Sequence, residues 1–177
     1  MTLPPYVSPE GVGHAARLLK LSKRLAASGR RGEALDAARE ASEVLRNLAR
    51  VNPDLYLSDL AKGLSVLAVR LSEARRPREG LAISRETVRI RRRLTQQDYT
   101  PHAPGLADSL RRLAVDLSAA GELRDALATA QESVDLYRSL NEDQPSAYNT
   151  GLAEALTTLA CRLSESGRQS STFVTAQ

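Results

Sequence analysis

The chain repeats itself. Leu21, Leu67, Leu113 and Leu159 each open a Leu-x-x-x-Leu frame, and each follows the last by 46 residues without insertion or deletion. Leu60, Leu106 and Leu152 keep the same offset, as do Leu64, Leu110 and Leu156. Pro53 and Pro145, and Tyr56 and Tyr148, lie two periods apart. Self-similarity at a fixed period of this size is the signature of stacked supersecondary units, each too small to bury its apolar face alone.

Within one unit, Leu60, Leu64, Leu67 and Leu71 fall on one stripe of a helix, here helix A. A turn marked by Gly29 and Gly121 follows in two units, and a second stripe begins: Leu35, Ala38, Ala41 and Leu45, or Leu127, Ala130, Val134 and Tyr137. This is helix B. Ala34 and Ala126 stand just beyond the turn, where small side chains let two antiparallel helices approach closely. Ser58, Pro104 and Thr150 share one register as start signals for helix A. The pattern predicts A helices from about residues 11, 57, 104 and 150 and B helices from about 32, 78 and 124. That makes seven helices, an all-α chain of antiparallel hairpins. The expected units are 11–56, 57–102 and 103–148, a closing half unit over 149–167, an N-terminal tail over 1–10 and a flexible tail over 168–177.

Composition agrees with closely spaced helices. Five Tyr, one Phe and no Trp leave the interior to Leu, Ala and Val. One cysteine, Cys161, excludes an internal disulfide framework. Residues 1–11 read as neither a basic leader nor an apolar signal core, and charged residues interrupt every leucine-rich run. The expectation is a cytoplasmic protein with no membrane span.

Leu113 to Tyr137, LAVDLSAAGELRDALATAQESVDLY, resembles the tetratricopeptide repeat. Leu113 and Ala114 stand at that family's Leu-Gly pair, Leu117 at its aromatic, Gly121 at its turn, and Ala126 and Ser133 at its helix-B alanines. The second unit departs from the pattern, with Arg75 for the turn glycine and Gly80 for alanine. The family's usual period is about 34 residues. The longer one here, with NPDLYLSDL over Asn52 to Leu60, resembles the long-period bacterial arrays. The resemblance implies a right-handed α-solenoid of three hairpins and a closing helix, acting as a non-catalytic scaffold that holds a peptide or partner protein in a concave groove lined by A helices.

By register, that lining includes Lys23, Lys62, Val69, Asp108, Arg111 and Val115, with Glu73, Glu154 and Cys161 beside them. Lys23, Lys62 and Arg111 would hold an acidic or C-terminal carboxylate by charge-assisted hydrogen bonds. Two alternatives stand beside this reading. A sensor or oligomerisation module would self-associate, as a homodimer, through its last helix. A nucleic-acid binder would use the eight arginines between Arg75 and Arg93, in a chain of net charge +4. Glu73, Glu79 and Glu86 interleave with that stretch and no aromatic is at hand for stacking, which makes nucleic acid the weaker partner. His14 and His102 lie at metal-ligand spacing neither from each other nor from Cys161, and Gly11 and Gly13 form no phosphate loop. No cofactor, metal or catalytic residue is expected.

Overall fold

A computed structural model describes residues 9–144 and 146–174. The described residues form seven helices: α1 (Pro9–Ala27), α2 (Arg31–Val51), α3 (Pro53–Glu73), α4 (Pro77–Gln97), α5 (Tyr99–Ala119), α6 (Leu123–Asp143) and α7 (Asn149–Val174). Helices α2 through α6 are each 21 residues long. The length added to the ordinary period is therefore helix, since a single residue separates α2 from α3 (Asn52) and α4 from α5 (Asp98).

The three hairpin turns are superimposable in their bonding. Gly29 N–H donates to Ala26 and Arg30 N–H to Leu25; one period on, Arg75 donates to Ser72 and Arg76 to Leu71; one more on, Gly121 donates to Ser118 and Glu122 to Leu117, all at 2.9–3.0 Å. Each turn needs one left-handed residue, at φ 77°, 56° and 84° for Gly29, Arg75 and Gly121. The second unit thus makes the family turn without its glycine, with the strain of a side chain in that conformation.

The A helices start earlier than Ser58 and Pro104 suggest. Asn52 caps α3, its side-chain oxygen accepting from Leu55 N–H at 3.2 Å, and Pro53 follows at the first helical position. An asparagine cap followed by proline is the stronger start signal, so Ser58 lies inside the helix. Pro104 likewise lies inside α5, which follows the extended Asp98. The break expected at Gly167 is also absent. Gly167 holds the register of Gly29, Arg75 and Gly121, yet it takes no left-handed φ, and α7 runs on through Val174. Residues 1–8 of the expected N-terminal tail and 175–177 of the expected C-terminal tail lie outside the described residues, as does Pro145.

The chain forms two compact units, Met1–Ile90 and Arg91–Gln177. In the first, α2 packs against α1 and α3. Its core gathers Ala15 from α1, Leu35, Ala38, Ala41, Leu45 and Leu48 from α2, and Leu60, Leu64, Leu67 and Leu71 from α3, with Ile83 of α4 against them. In the second, α6 packs against α5 and α7 around Ala103, Ala107, Val134, Tyr137, Leu140 and Ala155. Small residues set the helix spacing in both. Ala34 and Ala126 are fully buried, Ser22 donates to the Ala34 carbonyl at 2.7 Å, and Ser133 donates to the Ala107 carbonyl at 2.8 Å. No described helix is long and apolar enough to cross a membrane.

Candidate interaction site

The residues expected to line a groove are divided between the units. Lys23 is exposed on α1, Lys62 is exposed on α3 and donates to Asp59 at 3.0 Å, and Val69 is half-buried on α3. Glu73 pairs with Arg70 at 2.9 Å. These belong to the first unit. Asp108, Arg111 and Val115 on α5, and Glu154 and Cys161 on α7, belong to the second, where Val115 is half-buried and Cys161 exposed.

Three of them meet. Asp108 and Arg111 lie one helical turn apart on α5, and Arg111 Nη2 reaches Asp108 Oδ1 at 3.6 Å and Glu154 Oε2 on α7 at 3.0 Å. Two further groups join that were not expected there. Tyr137 of α6 donates its hydroxyl to Asp108 Oδ1 at 2.8 Å. Arg91, at the C-terminal part of α4, lies close enough to Asp108 for their charges to interact. The Asp108 side chain is 61% exposed and that of Glu154 52%, against 30% for Arg111. The carboxylates are thus the solvent-facing part of the cluster, and the guanidinium is already shared between them. What this surface offers a partner is acceptor oxygens, suited to a basic side chain or to backbone N–H groups.

Electrostatics follow from the same geometry. Burial pushes the Tyr137 hydroxyl well above the ordinary tyrosine range, helped by its hydrogen bond to Asp108 and by the negative charge of Asp108 and Glu154, with Arg111 opposing. Burial lowers the pKa of Arg91, and Asp108 opposes that shift. The Nε atoms of Arg91 and Arg111 are buried with no hydrogen-bond partner.

Why Arg91 and Tyr137 reach this surface is written in the repeat. Leu45, Arg91 and Tyr137 occupy one register, a period apart, and each lies over a glycine of the next A helix: Gly63, Gly105 and Gly151. A β-carbon at residue 105 would stand 2.1 Å from Arg91 Nη1, and one at 151 would stand 2.5 Å from the Tyr137 ring. Gly105 and Gly151 are themselves one period apart, which is the signal that could have found the pair.

The arginine stretch is partly structural. Arg92 Nη2 donates to both carboxylate oxygens of Glu132 at 2.7 and 2.9 Å, one period on from Arg46, whose Nε and Nη2 fork on Glu86 at 3.3 and 2.7 Å. Arg76 pairs with Glu79. Arg78, Arg89 and Arg93 are exposed. In the first unit a cleft of about 260 Å³ has Leu67, Leu71 and Ile83 at its floor and Arg39, Glu43, Arg46 and Glu79 around it.

Residues 106–146, from the middle of α5 to the end of the α6 turn, match the tetratricopeptide repeat family. The chain is tetratricopeptide-like. Solved structures share this tetratricopeptide-like fold. The apo form of RapI superimposes with a TM-score of 0.69 at 12% identity, over 92% of this chain and 53% of that one. Aspartyl phosphate phosphatase F from Bacillus subtilis superimposes with a TM-score of 0.58 at 13% identity, over 88% of this chain and 42% of that one. At such identities the likeness is one of fold, and this chain spans about half the length of either protein. A comparison with curated proteins gives no match.

Proposed function

We propose that the chain is a non-catalytic protein-interaction scaffold whose partner is held on the A-helix surface of residues 91–177, at Asp108, Arg111 and Glu154. The supporting observation is the cluster itself. Two helices, α5 and α7, place two solvent-facing carboxylates around one shared guanidinium, and Tyr137 of α6 holds Asp108. The match to the tetratricopeptide repeat falls on residues 106–146, which contain Asp108, Arg111 and Tyr137. Helical-repeat arrays bind extended segments on such surfaces. The partner is a peptide or protein segment carrying a basic side chain between acceptor groups. Val115 borders this surface on α5, and Lys23, Lys62 and Val69 are proposed to line a binding surface of the first unit. In this reading the array comprises three hairpins and a closing helix, works in the cytoplasm and needs no cofactor.

A random-peptide phage library selected on the full chain tests the proposal. The expected result is a consensus containing Arg or Lys, with binding of the consensus peptide weakened about tenfold or more by Glu154→Ala or Asp108→Asn and unaffected by Arg93→Ala. Peptides that bind all these variants with equal affinity would contradict it.

A further inference from the structure

The arginines between Arg75 and Arg89 include charges that the fold does not use. On α4, Arg78, Ala82, Arg85 and Arg89 fall at i, i+4, i+7 and i+11, one stripe of the helix, and all four are exposed. The carboxylates beside that stripe are already engaged. Glu79 pairs with Arg39 of α2 at 3.3 Å and with Arg76, and Glu86 receives Arg46 of α2 at 2.7 Å. Arg78 and Arg89 make no ion pair among the described residues, and neither does Arg75 in the turn before the helix. The acids that interleave with the arginines in the sequence therefore leave these three cations uncompensated in the fold.

The cationic ridge is peculiar to α4. In the register of Arg78, Ala82 and Arg89, α2 carries Gly32, Asp36 and Glu43, and α6 carries Arg124, Ala128 and Asp135, all exposed. The same solvent-facing positions are thus acidic on α2, neutral on α6 and basic on α4, so keeping a B helix in water does not require arginine there. Arg75 sharpens the contrast. It stands where the other two turns have Gly29 and Gly121, and it holds a left-handed φ of 56° that strains a side chain. A cation is kept at a position where the turn alone favours glycine.

We infer that Arg75, Arg78 and Arg89 form a docking ridge for an acidic α-helix of a partner protein. The first unit already contains a contact of this kind. Arg39 and Arg46 lie seven residues apart on α2 and meet Glu79 and Glu86, seven residues apart on α4. Helix stripes of equal spacing thus bring guanidinium onto carboxylate, the pairing that the planar arginine fork suits best. A helix with carboxylates at i, i+4, i+7 and i+11 presents the complementary stripe to α4, and opposite charge steers the encounter. Nucleic acid suits the ridge less well, because α4 contains no aromatic residue on which a base could stack. The contact does not use Asp108, Arg111 or Glu154, and its partner has the opposite charge to the segment proposed there, so either reading can fail alone.

Fluorescence anisotropy on the full chain tests the inference with three labelled probes at one salt concentration. The first is an alanine-based helical peptide with glutamates at i, i+4, i+7 and i+11, the second has the same glutamates spread around the helix, and the third is a short DNA duplex. The striped peptide should bind about fivefold or more tightly than either of the others. Arg78→Ala and Arg89→Ala should each weaken it about threefold, and Arg124→Ala, the exposed arginine of the same register on α6, should leave it unchanged. Arg75→Gly separates docking from folding. It should raise the melting temperature by relieving the turn and at the same time weaken the striped peptide, whereas an arginine of purely local effect would change the first alone. Equal binding of the two peptides, a duplex that binds as tightly, indifference to Arg78→Ala and Arg89→Ala, or parental binding by Arg75→Gly would each overturn the inference.

Discussion

The aromatic ring of Tyr137 occupies the space that a β-carbon at residue 151 would need, with Cε1 at 2.5 Å and Cζ at 2.6 Å from that position. Gly151→Ala must therefore displace a buried ring that also orients Asp108. The expected cost is about 1–3 kcal/mol by chemical denaturation, despite the better helix propensity of alanine. Gly32→Ala, where nothing lies within 4 Å, should be neutral or stabilising by up to about 1 kcal/mol. A double-mutant cycle with Tyr137→Ala should recover much of the Gly151→Ala loss, because the two residues contend for one volume.

Arg75 has the left-handed φ of 56° that glycine supplies in the other two turns. Arg75→Gly should stabilise the chain by about 1 kcal/mol, and Gly121→Ala should destabilise it by a similar amount. Thermal unfolding followed by circular dichroism measures both.

The regular features of the fold were legible because they are periodic. Helix number and type, the hairpin turns and the small residues at the helix crossings all follow from leucine, glycine and alanine recurring every 46 residues. Helix starts were less so. Ser58 and Pro104 share a register, but the Asn52 cap and Pro53 are a local signal that overrides it by five residues. The second turn illustrates another limit, since a bonding pattern imposed by the two helices holds Arg75 where propensity calls for glycine. At the candidate site, Asp108, Arg111 and Glu154 could be placed by helix register. Arg91 and Tyr137 could not, because their role depends on space left by Gly105 and Gly151 on another helix. Equally hidden was the sharing of Arg111 by two carboxylates, Asp108 on its own helix and Glu154 on α7.

Tyr137 titrates above the ordinary tyrosine range of about 10. Its folded-state pKa exceeds the unfolded one, so its contribution to stability is fully present below about pH 10 and is lost as pH rises through the folded value. The tyrosinate absorbance difference between the parent chain and Tyr137→Phe should therefore emerge late in an alkaline titration. Asp108→Asn, which removes the negative charge beside the hydroxyl, should bring it earlier. A difference signal centred at about 10 would contradict the buried, hydrogen-bonded hydroxyl.

Two arginine–glutamate pairs in one register allow an internal comparison. Arg46 and Glu86 have side chains 32% and 26% exposed, and Arg92 and Glu132 are 53% and 45% exposed. Coupling energies from alanine double-mutant cycles should be larger for the first pair, with the second below about 1 kcal/mol and fading as salt rises.

The central claim is that a partner is received on α5 and α7 of the second unit. Amide chemical-shift mapping of the labelled chain, titrated with the consensus peptide from the library selection, tests it most directly. The expected shifts centre on Asp108, Arg111, Val115 and Glu154 and disappear in Glu154→Ala. Shifts confined to the first-unit cleft at Arg39, Arg46 and Ile83, or persisting unchanged in Glu154→Ala, would contradict it.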